Sequence, residues 1–78
     1  MAHKVSIYTT PSCQYCKMAK ALFQEHNIEY NEYNVAVDIE KRKEMIERSG
    51  QMGVPVIDID GQIVVGFDHE QLSGLLGI

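Results

Sequence analysis

A chain of 78 residues with net charge −4, 45% hydrophobic and 23% charged residues, has room for one small globular domain, residues 1–78, and excludes a disordered polypeptide. The acidic balance argues against nucleic acid and anionic membrane as main partners. No run approaches the ~18 apolar residues of a membrane span, and Met1-Ala2-His3-Lys4 leads directly into a strand rather than a long apolar stretch, so a cytoplasmic protein is expected.

Lys4-Val5-Ser6-Ile7-Tyr8-Thr9 reads as a first strand, and Thr10-Pro11-Ser12 as a turn. A helix then runs from Cys13 to about Asn27. Glu29 to Val35, rich in Tyr and ending in Val, reads as a second strand. A helix crossing between two strands favours a parallel pair. Asp38 caps a second helix through about Ser49, with Gly50 past its end and a sparse apolar face of Ile39, Met45 and Ile46. Residues 54–59 and 62–65 flank Asp60-Gly61, a strong signal for a two-residue hairpin turn. Asp68 caps a last helix carrying Leu72, Leu75 and Leu76. The order β-α-β-α-β-β-α fits one mixed four-stranded sheet with three flanking helices.

The chemistry concentrates in Cys13-Gln14-Tyr15-Cys16, at the junction of the first strand and first helix. A C-x-x-C in that setting reads as a thiol–disulfide redox site. Residues three apart at a helix start share a face, with Cβ atoms about 5–6 Å apart, so the pair can open and close with little backbone movement. Cys13 falls at the N-cap and Cys16 one turn inside. Free backbone N–H groups and the positive end of the helix dipole favour a thiolate there. The exposed Cys13 is the expected nucleophile and the shielded Cys16 the resolving thiol.

As a purely structural staple the pair would close a very short loop and contribute roughly 2 kcal/mol, against about 3 for a fifteen-residue loop. Zinc normally needs four ligands, and only His3, His26 and His69 could join the two cysteines, so no metal site is expected. Lys17 and Lys20 add positive charge to the helix, although each also reads as plain solvated surface.

With these motifs in place, the whole chain resembles the glutaredoxin family of the thioredoxin fold. The resemblance rests on Tyr8-Thr9-Thr10-Pro11-Ser12-Cys13-Gln14-Tyr15-Cys16, on residues 41–50, on Gly53-Val54-Pro55 and on Val65-Gly66-Phe67-Asp68, in that order. It implies a glutathione-dependent disulfide oxidoreductase with glutathione as reducing co-substrate and no tightly bound cofactor. It also implies a cis Pro55 facing the dithiol and a Val54 backbone that pairs with the substrate's backbone as an added strand would. Tyr15 shields the site. By the same resemblance Gly66, Phe67 and Asp68 are expected to contact glutathione, Asp68 at its γ-glutamyl end, while Asp68 also caps the last helix. Glutathionylated and disulfide-bearing proteins are the implied substrates, and a monomer is expected.

Three departures from the family pattern bear on partners. Thr10 and Pro11 stand where many members carry a basic residue for a glutathione carboxylate, which leaves Arg42 or Lys41 to take it. Val65-Gly66 replaces a usual glycine pair. Both departures suit an alternative, a redoxin reduced by thioredoxin reductase and serving a reductase such as ribonucleotide reductase or a peroxide-reducing enzyme. Gln14 replaces a common Pro, which suits a further alternative: a [2Fe–2S] carrier bridging two protomers through Cys13 and glutathione.

Overall fold

The computed structural model describes residues 4–78, so His3, weighed above as a zinc ligand, and the N-terminal Met1-Ala2 lie outside the described residues. Seven elements follow the expected order: β1 (Val5–Thr9), α1 (Gln14–Glu25), β2 (Asn31–Asn34), α2 (Ile39–Ser49), β3 (Val56–Ile59), β4 (Gln62–Val65) and α3 (His69–Leu76). The strands form one sheet in the order β2-β1-β3-β4. β1 and β2 are parallel, from Ser6↔Asn31 to Thr9↔Asn34. The β1–β3 and β3–β4 pairs are antiparallel.

Side-chain alternation along the strands divides the core into two layers. Val5, Ile7, Ile57, Ile59 and Val64 turn to one face, where α1 contributes Ala19, Leu22 and Phe23 and α3 contributes Leu72 and Leu76. Tyr8 and Val56 turn to the other face, under Met45 of α2. Each fully buried large apolar side chain is worth roughly 1.5–3 kcal/mol relative to leaving it exposed.

Each helix starts where its sequence has a capping group. Asp38 Oδ1 accepts from the Lys41 N–H at 3.1 Å, and Asp68 Oδ1 from the Gln71 N–H at 3.1 Å. The β3–β4 hairpin turns on Asp60 and Gly61, both at positive φ (52° and 91°), the pairing a right-twisted two-residue hairpin requires. Asp58 Oδ1 accepts from the Gly61 N–H at 2.8 Å and closes the turn.

Five details differ from the sequence reading. The first strand begins at Val5, one residue late. α1 stops at Glu25, because Asn27 takes a left-handed φ of 56° and the Ile28 N–H turns back to the Phe23 carbonyl at 2.8 Å. That contact, with Tyr30 packed on the Phe23 ring, holds residues 28–30 against the helix and shortens the second strand to 31–34. The third strand starts at Val56 rather than 54. Ile39 does not join the apolar face of α2: it is 68% exposed, whereas Met45 is fully buried. Ile39 opens the first turn, where the helix has not yet crossed onto the sheet.

This contrast sets a stability test. Met45→Ala is expected to cost about 2–5 kcal/mol through lost burial and a residual cavity. Ile39→Ser is expected to stay within about 0.5 kcal/mol of the parent. Urea unfolding of the two variants checks both values.

Candidate active site

α1 begins where β1 ends, so the strand delivers Cys13 to the helix N-terminus. Cys13 is the N-cap, with extended backbone (φ −82°, ψ 110°), and its Sγ accepts the Cys16 N–H at 3.1 Å. An N-cap normally uses an oxygen for this; here the reacting sulfur satisfies one of the helix's orphan donors. The Cys13 N–H donates to the Thr10 carbonyl at 3.2 Å, which fixes the turn in front of it. No acidic residue occupies the first turn to oppose negative charge on that sulfur. Cys13 and Cys16 are joined as a disulfide with Cα atoms 5.2 Å apart, inside the range such a bond tolerates. Cys13 is half-buried and Cys16 only 1% exposed. The expected division into an accessible and a shielded sulfur is therefore present.

The sheet topology gathers further residues at this end. β3 runs opposite to β1, so the segment leading into it, with Val54 and Pro55, lies at the end where β1 hands over to α1. The Val54–Pro55 peptide is cis and Pro55 is buried. Among the described residues, nothing bonds to the main-chain N–H or carbonyl of Val54. β4 returns to the same end, its Val65 opposite Val56. Gly66 follows at φ 79°, a conformation glycine adopts without strain, and its N–H donates to the Pro55 carbonyl at 2.9 Å. Phe67 packs on the core beneath α3, and Asp68 is spent on its cap through one oxygen. Tyr15 is 60% exposed. Arg42 is exposed on α2 and has no ion pair among the described residues.

The positive charges divide: Lys17 stays exposed on α1, as its reading as plain surface has it, whereas Lys20 and two cations of α2 find internal partners. Lys20 turns to Glu32 of β2, with Nζ 2.8 Å from Oε2. The same oxygen accepts the buried Thr9 hydroxyl at 2.9 Å. The Lys20 contact, aided by the Thr9 hydrogen bond, holds the Glu32 carboxyl below its ordinary value. Glu32 thus ties α1 and the end of β1 to the edge strand. Sequence reasoning missed it, because a link between residues 12 and 23 positions apart leaves no local signal.

Lys41 is also engaged: it bonds Glu44 at 3.1 Å and stands 4.4 Å above the Tyr33 ring. Arg48 pairs with Asp58 and meets the Tyr8 hydroxyl. Burial pushes the Tyr8 phenol up despite that guanidinium. These groups border a polar cavity of about 310 Å³ that reaches Lys4 and Gly61, toward the end of the sheet away from the dithiol. Its paired charges make it a structural network rather than part of the redox site.

A family model described as Glutaredoxin matches residues 5–64. A glutaredoxin-like 8.6 kDa protein from the rubredoxin operon of Clostridium pasteurianum is 44% identical over 72 residues, covering 92% of this chain and 96% of that one. Glutaredoxin 3 of Escherichia coli K12 is 44% identical over 64 residues, or 82% of this chain and 77% of its own. Among solved structures, the thioredoxin-like protein BC3987 superposes with a TM-score of 0.89 at 33% identity, covering 94% of this chain and all of that one. The architecture is thioredoxin-like.

Two outcomes follow from this geometry. In the reduced protein, iodoacetamide is expected to modify Cys13 under native conditions and Cys16 only on unfolding, as read by peptide mass mapping. The second concerns Glu32, whose folded value is depressed. Its contribution is present above the ordinary value of 4.5 and is lost as pH falls through the lower folded value. Glu32→Gln should accordingly flatten the acid side of the stability–pH curve and leave its slope near neutrality unchanged.

Proposed function

The chain belongs to the glutaredoxin family and so carries out thiol–disulfide redox chemistry; from that premise we propose a glutathione-dependent oxidoreductase that reduces protein–glutathione mixed disulfides and protein disulfides. The observation that supports this best is Cys13 as the N-cap of α1 with Cys16 sealed beneath it.

The Cys13 thiolate attacks the glutathione sulfur of a mixed disulfide. A bond forms between Cys13 and glutathione, the old S–S bond breaks, and the target protein leaves as a thiolate that takes up a proton. A second glutathione thiolate then attacks the Cys13–glutathione bond, giving oxidised glutathione and free Cys13. With a protein disulfide, Cys13 captures one sulfur of the target. Cys16 then attacks the Cys13 sulfur, releases the reduced target and leaves the Cys13–Cys16 disulfide. Two glutathiones reset it.

In this reading Val54 pairs its unengaged main chain with the backbone of glutathione or substrate, beside Pro55. Gly66 admits the ligand closely. The second carboxylate oxygen of Asp68 is left for the γ-glutamyl ammonium. Arg42 takes a carboxylate, because Lys41 is already held by Glu44 and Tyr33. Phe67 and Tyr15 border the ligand. A monomer in the cytoplasm, where glutathione keeps thiols reduced, suits this chemistry. No helix among the described residues is long and apolar enough to cross a membrane.

One observation favours a second reading. Thr10 and Pro11 supply no charge in front of Cys13, and Lys41 and Lys20 are both spent on internal partners. A protein reductase such as thioredoxin reductase needs no carboxylate clamp and would serve as electron source in that case.

The test is NADPH oxidation with a small glutathione mixed disulfide, glutathione and glutathione reductase, run beside thioredoxin reductase alone. Rapid turnover in the first system is expected. Reduction only in the second would replace glutathione by the reductase. Cys13→Ser should abolish both activities. Cys16→Ser should retain deglutathionylation and lose reduction of protein disulfides.

A further inference from the structure

Seven large apolar side chains stand exposed among the described residues. The four most exposed are Val37 at 78%, Ile39 and Met52 at 68% and Tyr15 at 60%. They come from three separate segments, yet the topology carries all of them to the dithiol end of the sheet. β2 is parallel to β1, and the Val35 N–H donates to the Thr9 carbonyl at 2.9 Å, so the turn holding Val37 and the start of α2 at Ile39 lie beside the exit of β1. Met52 precedes Pro55 at the start of the antiparallel β3. Tyr15 opens α1 two residues after Cys13. Val65, 48% exposed at the end of β4, completes the group.

None of these side chains is needed by the core, whose layers are closed by other residues. Grouped exposed apolar side chains mark an interaction surface. Position identifies the occupant, since any molecule whose sulfur reaches Cys13 must bring its flanking groups over this end of the sheet. The unengaged main chain of Val54, between Met52 and Pro55, offers such a molecule an extended backbone partner.

We infer that Val37, Ile39 and Met52 form a docking rim that selects protein substrates in which apolar side chains flank the target cysteine in an extended segment. This rests on the redox reading of Cys13 and adds the substrate class. The reaction is the exchange already described, with the peptide's disulfide as oxidant and the Cys13–Cys16 dithiol as reductant.

The test uses stoichiometric pre-reduced protein, without glutathione or a reductase. Two peptides are compared, each held by one disulfide across a fluorophore–quencher pair. One carries Leu and Val around its cysteine and the other Ser and Asp. The apolar peptide is expected to be reduced about tenfold faster, a difference of about 1.4 kcal/mol. In the triple variant V37S/I39S/M52Q the ratio should fall toward one. Met52→Gln alone, a loop substitution, should lower it part of the way and covers the case in which the triple variant does not fold. Equal rates for the two peptides with the parent protein, or an unchanged ratio in folded variants, would overturn the rim. Reduction of neither peptide would overturn the redox reading with it. Failure of glutathione coupling alone would leave the measured preference, and hence the rim, intact.

Discussion

β1 is the element on which the dithiol depends. Its residues pair with β2 along one edge and β3 along the other. Val5 and Ile7 are buried under α1 and α3, and Tyr8 under α2. A strand fixed on both edges and both faces cannot shift by one residue without turning every side chain to the wrong layer. Its C-terminal end is therefore a rigid point from which to launch a helix. The helix launched there takes the reacting sulfur as its cap, so the group that does the chemistry also satisfies the first turn. Structural and chemical demands fall on one atom.

Ionic contacts then brace the elements around that point. Glu32 joins α1, β1 and β2 through Lys20 and the Thr9 hydroxyl. Arg48 joins α2 to β3 through Asp58 and to β1 through Tyr8. Exposed ion pairs contribute little on their own. These are more useful as orientation devices, because each crosses from a helix to the sheet. Their consequence for function is a redistribution of charge. Lys20, Lys41 and Arg48 are drawn inward to partners, while Lys17 stays exposed beside the redox motif and several apolar side chains stand exposed at the dithiol end.

That surface and the opened backbone at Val54 suit the same kind of ligand. An extended chain can bond to Val54, lay alternate side chains on the rim and present its sulfur to Cys13. Glutathione, a short and doubly acidic peptide, would draw on Val54 and Asp68 and on Arg42, an exposed cation of α2 without an ion pair among the described residues. The two demands meet at one sulfur and differ in what surrounds it.

The sequence by itself determined most of the fold. Cys13, Asp38 and Asp68 announced the three helix starts, and Asp60-Gly61 the hairpin. Those signals are local: each depends on a side chain meeting backbone a few residues away. The redox pair was legible for the same reason, since a spacing of three on a helix start brings two sulfurs together. Pro55 was placed by family resemblance rather than by local chemistry. Only the tertiary structure decided the partners of Lys20, Lys41 and Arg48, the exposure of Ile39 and the assembly of Val37, Ile39 and Met52 at one end. Such relations join residues distant in the chain, and sheet order and strand direction, not local pattern, bring them together.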